Sequence, residues 1–103
     1  MNDINAVKSR AYLTWAEWGP DARIPRDERL ATIYPDLTTA ERIAWIKEFG
    51  QIESFVWQLA EEGKAQALSR EDFTALIHQR FPFMDDEAVG KAHFLASYYQ
   101  WHG

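Results

Sequence analysis

The chain has 103 residues, no cysteine and a formal net charge of −5. Its length suits one domain with one core, and its 47% hydrophobic content is that of a folded globular protein. The lack of cysteine excludes disulfides and thiolate metal sites, and the negative charge argues against general binding to a nucleic-acid backbone.

The first segment predicts a helix that begins after an N-cap at Asp3 and runs to about Trp18. Apolar side chains recur along it at helical spacing and fall within one narrow stripe. Gly19 and Pro20 are expected to end this helix, because glycine suits the position after the last turn and proline cannot continue it.

A short second helix is expected at about 26–34, with Pro25 just before its first turn. Leu30 and Ile33 are expected to form its buried side. Pro35 ends it, because the residue before a proline is pushed away from helical geometry.

A long central helix is predicted at about 39–62, and it is the most informative stretch of the sequence. Thr38 and Glu41 have the spacing of a capping box, and Gly63 suits the end of the helix. Apolar side chains cover roughly two-thirds of its circumference at about 100° per residue. Gly50 costs about 1 kcal/mol relative to alanine, and the pattern is compatible with a bend there. Such a helix needs cover from other helices or from a second chain.

Two further helices are predicted in the last third of the chain. Ser69 and Asp72 have capping-box spacing, so one helix begins near residue 70 and ends at Pro82. The last helix follows a cap at Asp85 or Asp86.

The last helix has two different apolar faces. Mostly small residues form one face and would let a neighbouring helix come close; they are Ala88, Val89, Ala92, Leu95, Ala96 and Tyr99. Phe94, Tyr98 and Trp101 lie at positions i, i+4 and i+7 on the other face. We therefore predict an all-α, single-domain bundle of four to five helices over residues 1–103.

No catalytic or ligand-binding motif is visible. His78, His93 and His102 have no second histidine or carboxylate at metal-motif spacing, and the five glycines do not form a phosphate-binding loop. We predict no catalytic residue, no metal and no cofactor. A small enzyme is a further hypothesis, since folding can assemble a site from distant residues; a pocket that joins His78 or His93 to a carboxylate of shifted pKa would support it. The acidic start of the last helix also makes DNA reading through that helix unfavourable.

The sequence favours a non-enzymatic protein–protein interaction or regulatory protein, of the kind found as bacterial or phage accessory proteins. More apolar helix surface is encoded than a small monomer is expected to cover. We expect Phe94, Tyr98, Trp101 and Trp57 to contact either another protein or a second copy in a homodimer. No apolar run approaches the ~20 residues needed to cross a bilayer, so a cytoplasmic protein without a membrane partner is expected.

The alternative is an acidic inhibitor, of the immunity-protein type, that blocks a basic nuclease or another basic nucleic-acid-binding partner. Residues 35–63 carry six acidic side chains and two basic ones, so most of the excess negative charge lies on the central helix. Glu53, Glu61 and Glu62 are the candidate contact residues. Such a surface would steer a basic partner, and the association would weaken as salt rises.

Overall fold

The computed structural model describes residues 4–16 and 26–102, with the side chains of all but Arg26, Asp27, Arg29 and His102. This part of the chain contains six α-helices and no strand. The helices are α1 (Ile4–Ala16), α2 (Arg26–Ile33), α3 (Thr39–Glu61), α4 (Lys64–Ala67), α5 (Arg70–Arg80) and α6 (Asp86–His102). The predicted N-cap at Asp3 and the predicted helix end at Trp18–Pro20 lie outside the described residues. The all-α, single-domain prediction is confirmed.

The long helix α3 begins at the predicted capping box. The Glu41 backbone N–H donates to Thr38 Oγ1 at 3.1 Å, and the Thr38 N–H donates to Glu41 Oε1 at 2.9 Å. The helix then continues through Gly50 for 23 residues in all. Gly63, with φ of 71°, follows its C-cap in the left-handed region, which glycine adopts without a steric penalty.

One half of the core is built around Phe49 of α3, which is fully buried. Its ring centroid lies 5.7 Å from that of Tyr12, 5.8 Å from Trp15 and 6.4 Å from Phe83. Tyr12 and Trp15 belong to α1, so this cluster holds α1 against α3. Part of the high aromatic content is therefore core packing, in which tilted and edge-on rings add to the energy of burial.

The other half of the core lies between α3, α5 and α6. The small-residue face of α6 is buried, with Ala88, Ala92 and Ala96 fully covered. Small side chains let two helix backbones come close, and α3 with α6 forms the most extensive helix pair of the fold. Phe73 and Ile77 of α5 complete this region and are also fully buried.

Two helix predictions need correction. The short helix α4 was not predicted and raises the number of helices to six, because four residues are too few to show a periodic pattern. Ile33 was expected inside but is 54% exposed. Leu30 and Tyr34 are four residues apart and share the inward face, so Ile33 lies one step around the helix and faces solvent.

None of the helices in residues 4–16 and 26–102 combines the length and apolarity needed to cross a bilayer.

Candidate interaction surface

Three exposed aromatic side chains follow one side of α6. Phe94 is 54% exposed, Tyr98 39% and Trp101 74%, although the opposite side of the same helix is buried. We call these three residues the aromatic face. Helix α6 is thus packed on one side and displays large apolar side chains on the other.

Helix α1 does not provide a tryptophan cover for the aromatic face from its described residues. Trp15 is 6% exposed and packs on Phe49 within the core. Trp18, the next tryptophan along the chain, lies outside the described residues. Two residues of the aromatic face contact neighbours on α6. The rings of Tyr98 and Tyr99 are T-shaped with centroids 6.2 Å apart, and Lys91 Nζ lies 5.4 Å from the Phe94 ring centroid.

Trp57 of α3 is also partly exposed, at 39%. Its ring stacks on that of Tyr99 with centroids 4.4 Å apart and an interplanar angle of 11°. Next to this stack is a crevice of about 430 Å³ between α3 and α6, lined by Trp57, Ala60, Glu61, Tyr99 and Gln100. We call it the α3–α6 crevice. Of its two α6 residues, Tyr99 also contacts Tyr98 of the aromatic face, with ring centroids 6.2 Å apart.

The three candidate carboxylates have different environments. Glu61 is exposed and lines the α3–α6 crevice. Glu62 accepts from Lys64 Nζ at 2.8 Å and from Gln58 Nε2 at 3.0 Å, and these hydrogen bonds, that of Lys64 foremost, lower its pKa. Glu53 is half-buried and lines a small cavity on the α1 side of α3. The structure therefore does not gather the three into one acidic patch.

A further carboxylate of α3 is already paired. Both oxygens of Glu48 accept from Lys8 Nζ at 2.8 Å, which links α3 to α1. The negative charge that α3 offers to a partner is thus smaller than the sequence count indicates.

The described histidines hold structural contacts. His78 Nε2 lies 2.9 Å from the carbonyl oxygen of Met84, and the His93 ring meets Phe73 edge-on at 4.8 Å. The side chain of His102 lies outside the described residues. No group of three metal-ligating side chains occurs among the residues described. The carboxyls with a lowered pKa, Glu41 and Glu62, belong to a helix cap and a local ion pair rather than to a pocket with a histidine.

A second depression lies on the solvent side of α3 and was not predicted. It is an open groove of about 650 Å³, and its polar lining includes Lys47, Gln51, Ser54, Gln58 and Arg80. The Arg80 guanidinium lies 4.5 Å from the Phe55 ring centroid. The two cations of this lining, Lys47 and Arg80, lie on different helices, α3 and α5.

Comparison of the chain with protein-family models, with curated proteins and with solved structures gives no match.

Sequence reasoning named Trp57 and Glu61 for different reasons and did not place them together. They are four residues apart on α3, so their side chains are neighbours on one helix face. The sequence assigned Tyr99 to the small-residue face of α6. It gave no reason to select Gln100 as a site residue, because glutamine is ordinarily a solvated surface residue. The crevice exists only through the pairing of α3 with α6.

Proposed function

We propose that this chain is a non-enzymatic protein–protein interaction module that binds its partner through the aromatic face of α6. The observation that supports this most directly is the exposure of Phe94, Tyr98 and Trp101 side by side on one helix. Contiguous large apolar side chains at a surface mark interaction sites, and tryptophan and tyrosine are enriched among residues that dominate binding energy.

The packing of α6 against α3 preorganises the aromatic face for binding. Helix α6 is held against α3 by fully buried Ala88, Ala92 and Ala96, so the aromatic side chains project from a fixed backbone. Aromatic side chains have few rotatable bonds, and little conformational entropy is lost when a partner covers them. Lys91, beside Phe94, provides a charged border to the apolar area.

The partner is either a second copy of this chain or a different protein. A symmetric dimer would place α6 against α6 and cover both aromatic faces with one self-complementary contact. We place the protein in the cytoplasm, as an accessory protein of a bacterium or phage; the absence of cysteine fits a reducing compartment.

The test combines sedimentation velocity with affinity capture. The variant F94S/Y98S/W101S is compared with I33S/I43S, which removes apolar side chains that are 54% and 61% exposed on α2 and α3. We expect the wild type and I33S/I43S to share a concentration-dependent dimer, or the same captured protein, and F94S/Y98S/W101S to lose it. All three should give the same far-UV circular dichroism.

Two results would overturn this proposal. One is a triple variant that associates as well as the wild type. The other is a triple variant that no longer folds, which would show that the three side chains stabilise the monomer instead of waiting for a partner.

The acidic-inhibitor alternative has less support. Glu48 of α3 is paired with Lys8, and Glu62, the C-cap of α3, is paired with Lys64, so two of the six acidic side chains of residues 35–63 are already neutralised within the chain. Exposed Glu61 remains available for a basic partner. If association falls steeply between 50 and 500 mM salt, values chosen to shorten the Debye length about threefold, charge rather than the aromatic face dominates binding.

A further inference from the structure

Among the described residues that line the α3–α6 crevice, Glu61 is the only charged side chain. It forms no ion pair with any described residue, since the nearby Lys64 bonds to Glu62 instead. The side-chain oxygen of Gln100 is buried and no hydrogen-bond donor within the described residues reaches it. A buried acceptor without a donor costs free energy, so this part of the crevice is incomplete as it stands.

The crevice also has an aromatic wall. One side of the Trp57 ring is covered by Tyr99, and the side chain still exposes 39% of its surface. A tryptophan face is the most favourable aromatic surface for a cation, and a guanidinium group stacks on it through its flat face.

We propose that the α3–α6 crevice receives an arginine side chain of the partner protein. The guanidinium stacks on Trp57, donates to the Glu61 carboxylate, and donates to Gln100 Oε1 after a turn of that amide. Arginine has five N–H donors in a planar group, so it can serve both acceptors while its face stays on the ring. This inference rests on the proposed function and specifies the chemistry of the partner, which presents an arginine to the α3–α6 crevice.

Other occupants fit less well. An anion would meet the Glu61 carboxylate with no compensating cation among the described lining residues. An apolar side chain would remove water from Glu61 and Gln100 without replacing their hydrogen bonds. The overall charge of −5 agrees with a basic rather than an acidic partner.

The test uses a small probe and needs no partner protein. The ¹⁵N-labelled chain is titrated with N-acetyl-arginine methylamide and, separately, with N-acetyl-citrulline methylamide, which is nearly the same shape without the charge. We expect the arginine probe to shift the Trp57 indole N–H and the Gln100 side-chain amide, and the citrulline probe to shift them far less. E61Q should weaken arginine binding about two- to fivefold, the range of an exposed ion pair. E71Q, the matched control with the same charge change at an exposed position of α5, should not.

Equal shifts from arginine and citrulline, or equal weakening by E61Q and E71Q, would overturn the assignment of the crevice. That failure is distinguishable from failure of the proposed function. The triple variant of the aromatic face reports on protein association, whereas the arginine titration reports on the crevice alone.

Discussion

The hydroxyl of Ser9 accepts the backbone N–H of Asp85 at 3.1 Å, and these two residues are 76 positions apart in sequence. The same hydroxyl donates to the carbonyl oxygen of Phe83 at 3.0 Å. Ser9 is fully buried on α1, and residues 83 and 85 lead directly into α6. The Ser9 side chain therefore links α1 to the segment that leads into α6, which carries the aromatic face.

Replacing Ser9 with alanine should destabilise the chain by about 1–3 kcal/mol, because a buried carbonyl and a partly buried N–H lose their partner. The change in volume is small, so lost hydrogen bonding rather than a cavity should dominate. Urea denaturation followed by tryptophan fluorescence measures the difference in free energy of unfolding.

The matched control for Ser9 is S54A, the same change at an exposed position of α3. We expect S54A to stay within about 0.5 kcal/mol of the wild type. Similar stabilities for S9A and S54A would mean that the Ser9 hydroxyl contributes nothing to holding α1 against the loop before α6.

Gly50→Ala should stabilise the chain by up to about 1 kcal/mol, because glycine within a helix costs conformational entropy. A Cβ added at Gly50 would meet no atom within 4 Å, so close approach of a neighbouring helix does not require glycine there. Chemical denaturation should show a higher midpoint with an unchanged slope.

Gly63→Ala should destabilise the chain, the opposite of the effect expected at Gly50. With φ of 71°, Gly63 has a left-handed backbone that costs an alanine about 1–2 kcal/mol. A shift of the denaturation midpoint in the same direction for G50A and G63A would contradict either the helical conformation of Gly50 or the left-handed conformation of Gly63.

The features that the sequence predicted correctly depend on local interactions. Thr38 and Glu41 are three residues apart and cap each other, so their spacing alone locates the start of α3. Ser69 is the N-cap of α5, and its hydroxyl accepts from the Asp72 N–H at 3.1 Å. Periodicity separated the buried alanines of α6 from its aromatic face, because a helix fixes which side chains share a side.

The features that the sequence did not predict depend on which helices meet. Nothing near Ser9 indicates that its hydroxyl bonds to residues 83 and 85. The burial of Gln100 Oε1 and the stacking of Trp57 on Tyr99 likewise require α3 and α6 to be placed side by side. Such contacts join residues about 40 or more positions apart, and periodicity carries no information about them.

Glu41 gives a prediction for pH. Its pKa is lowered because its carboxylate accepts the backbone N–H of Thr38 and also interacts with the Thr38 side chain. A carboxyl with a lowered pKa in the folded state stabilises the fold above its unfolded value of 4.5, and that contribution is lost as the pH falls below it.

The measurement for Glu41 compares the wild type with E41Q by chemical denaturation at pH 7 and at pH 3. We expect the wild type to exceed E41Q in free energy of unfolding at pH 7, and the gap to narrow at pH 3. An NMR titration of the Glu41 carboxyl carbon gives the pKa directly. A gap that is equal or larger at pH 3 would contradict the role of the charged carboxylate in the cap.

Comparing the stabilities of F94A and F73A tests whether the aromatic face contributes to the stability of the fold. Phe73 is fully buried between α5 and α6, so F73A should cost about 3–5 kcal/mol through lost burial and the cavity left behind. Phe94 is 54% exposed and its ring lies 5.4 Å from Lys91 Nζ, so F94A should change stability by no more than about 0.5 kcal/mol. Thermal unfolding of both variants, at a concentration where the chain is monomeric, decides between core and interface. A large loss of stability in F94A would place Phe94 in the core. A small loss of stability in F94A, together with a large loss in F73A, would show that the Phe94 ring is available to a partner.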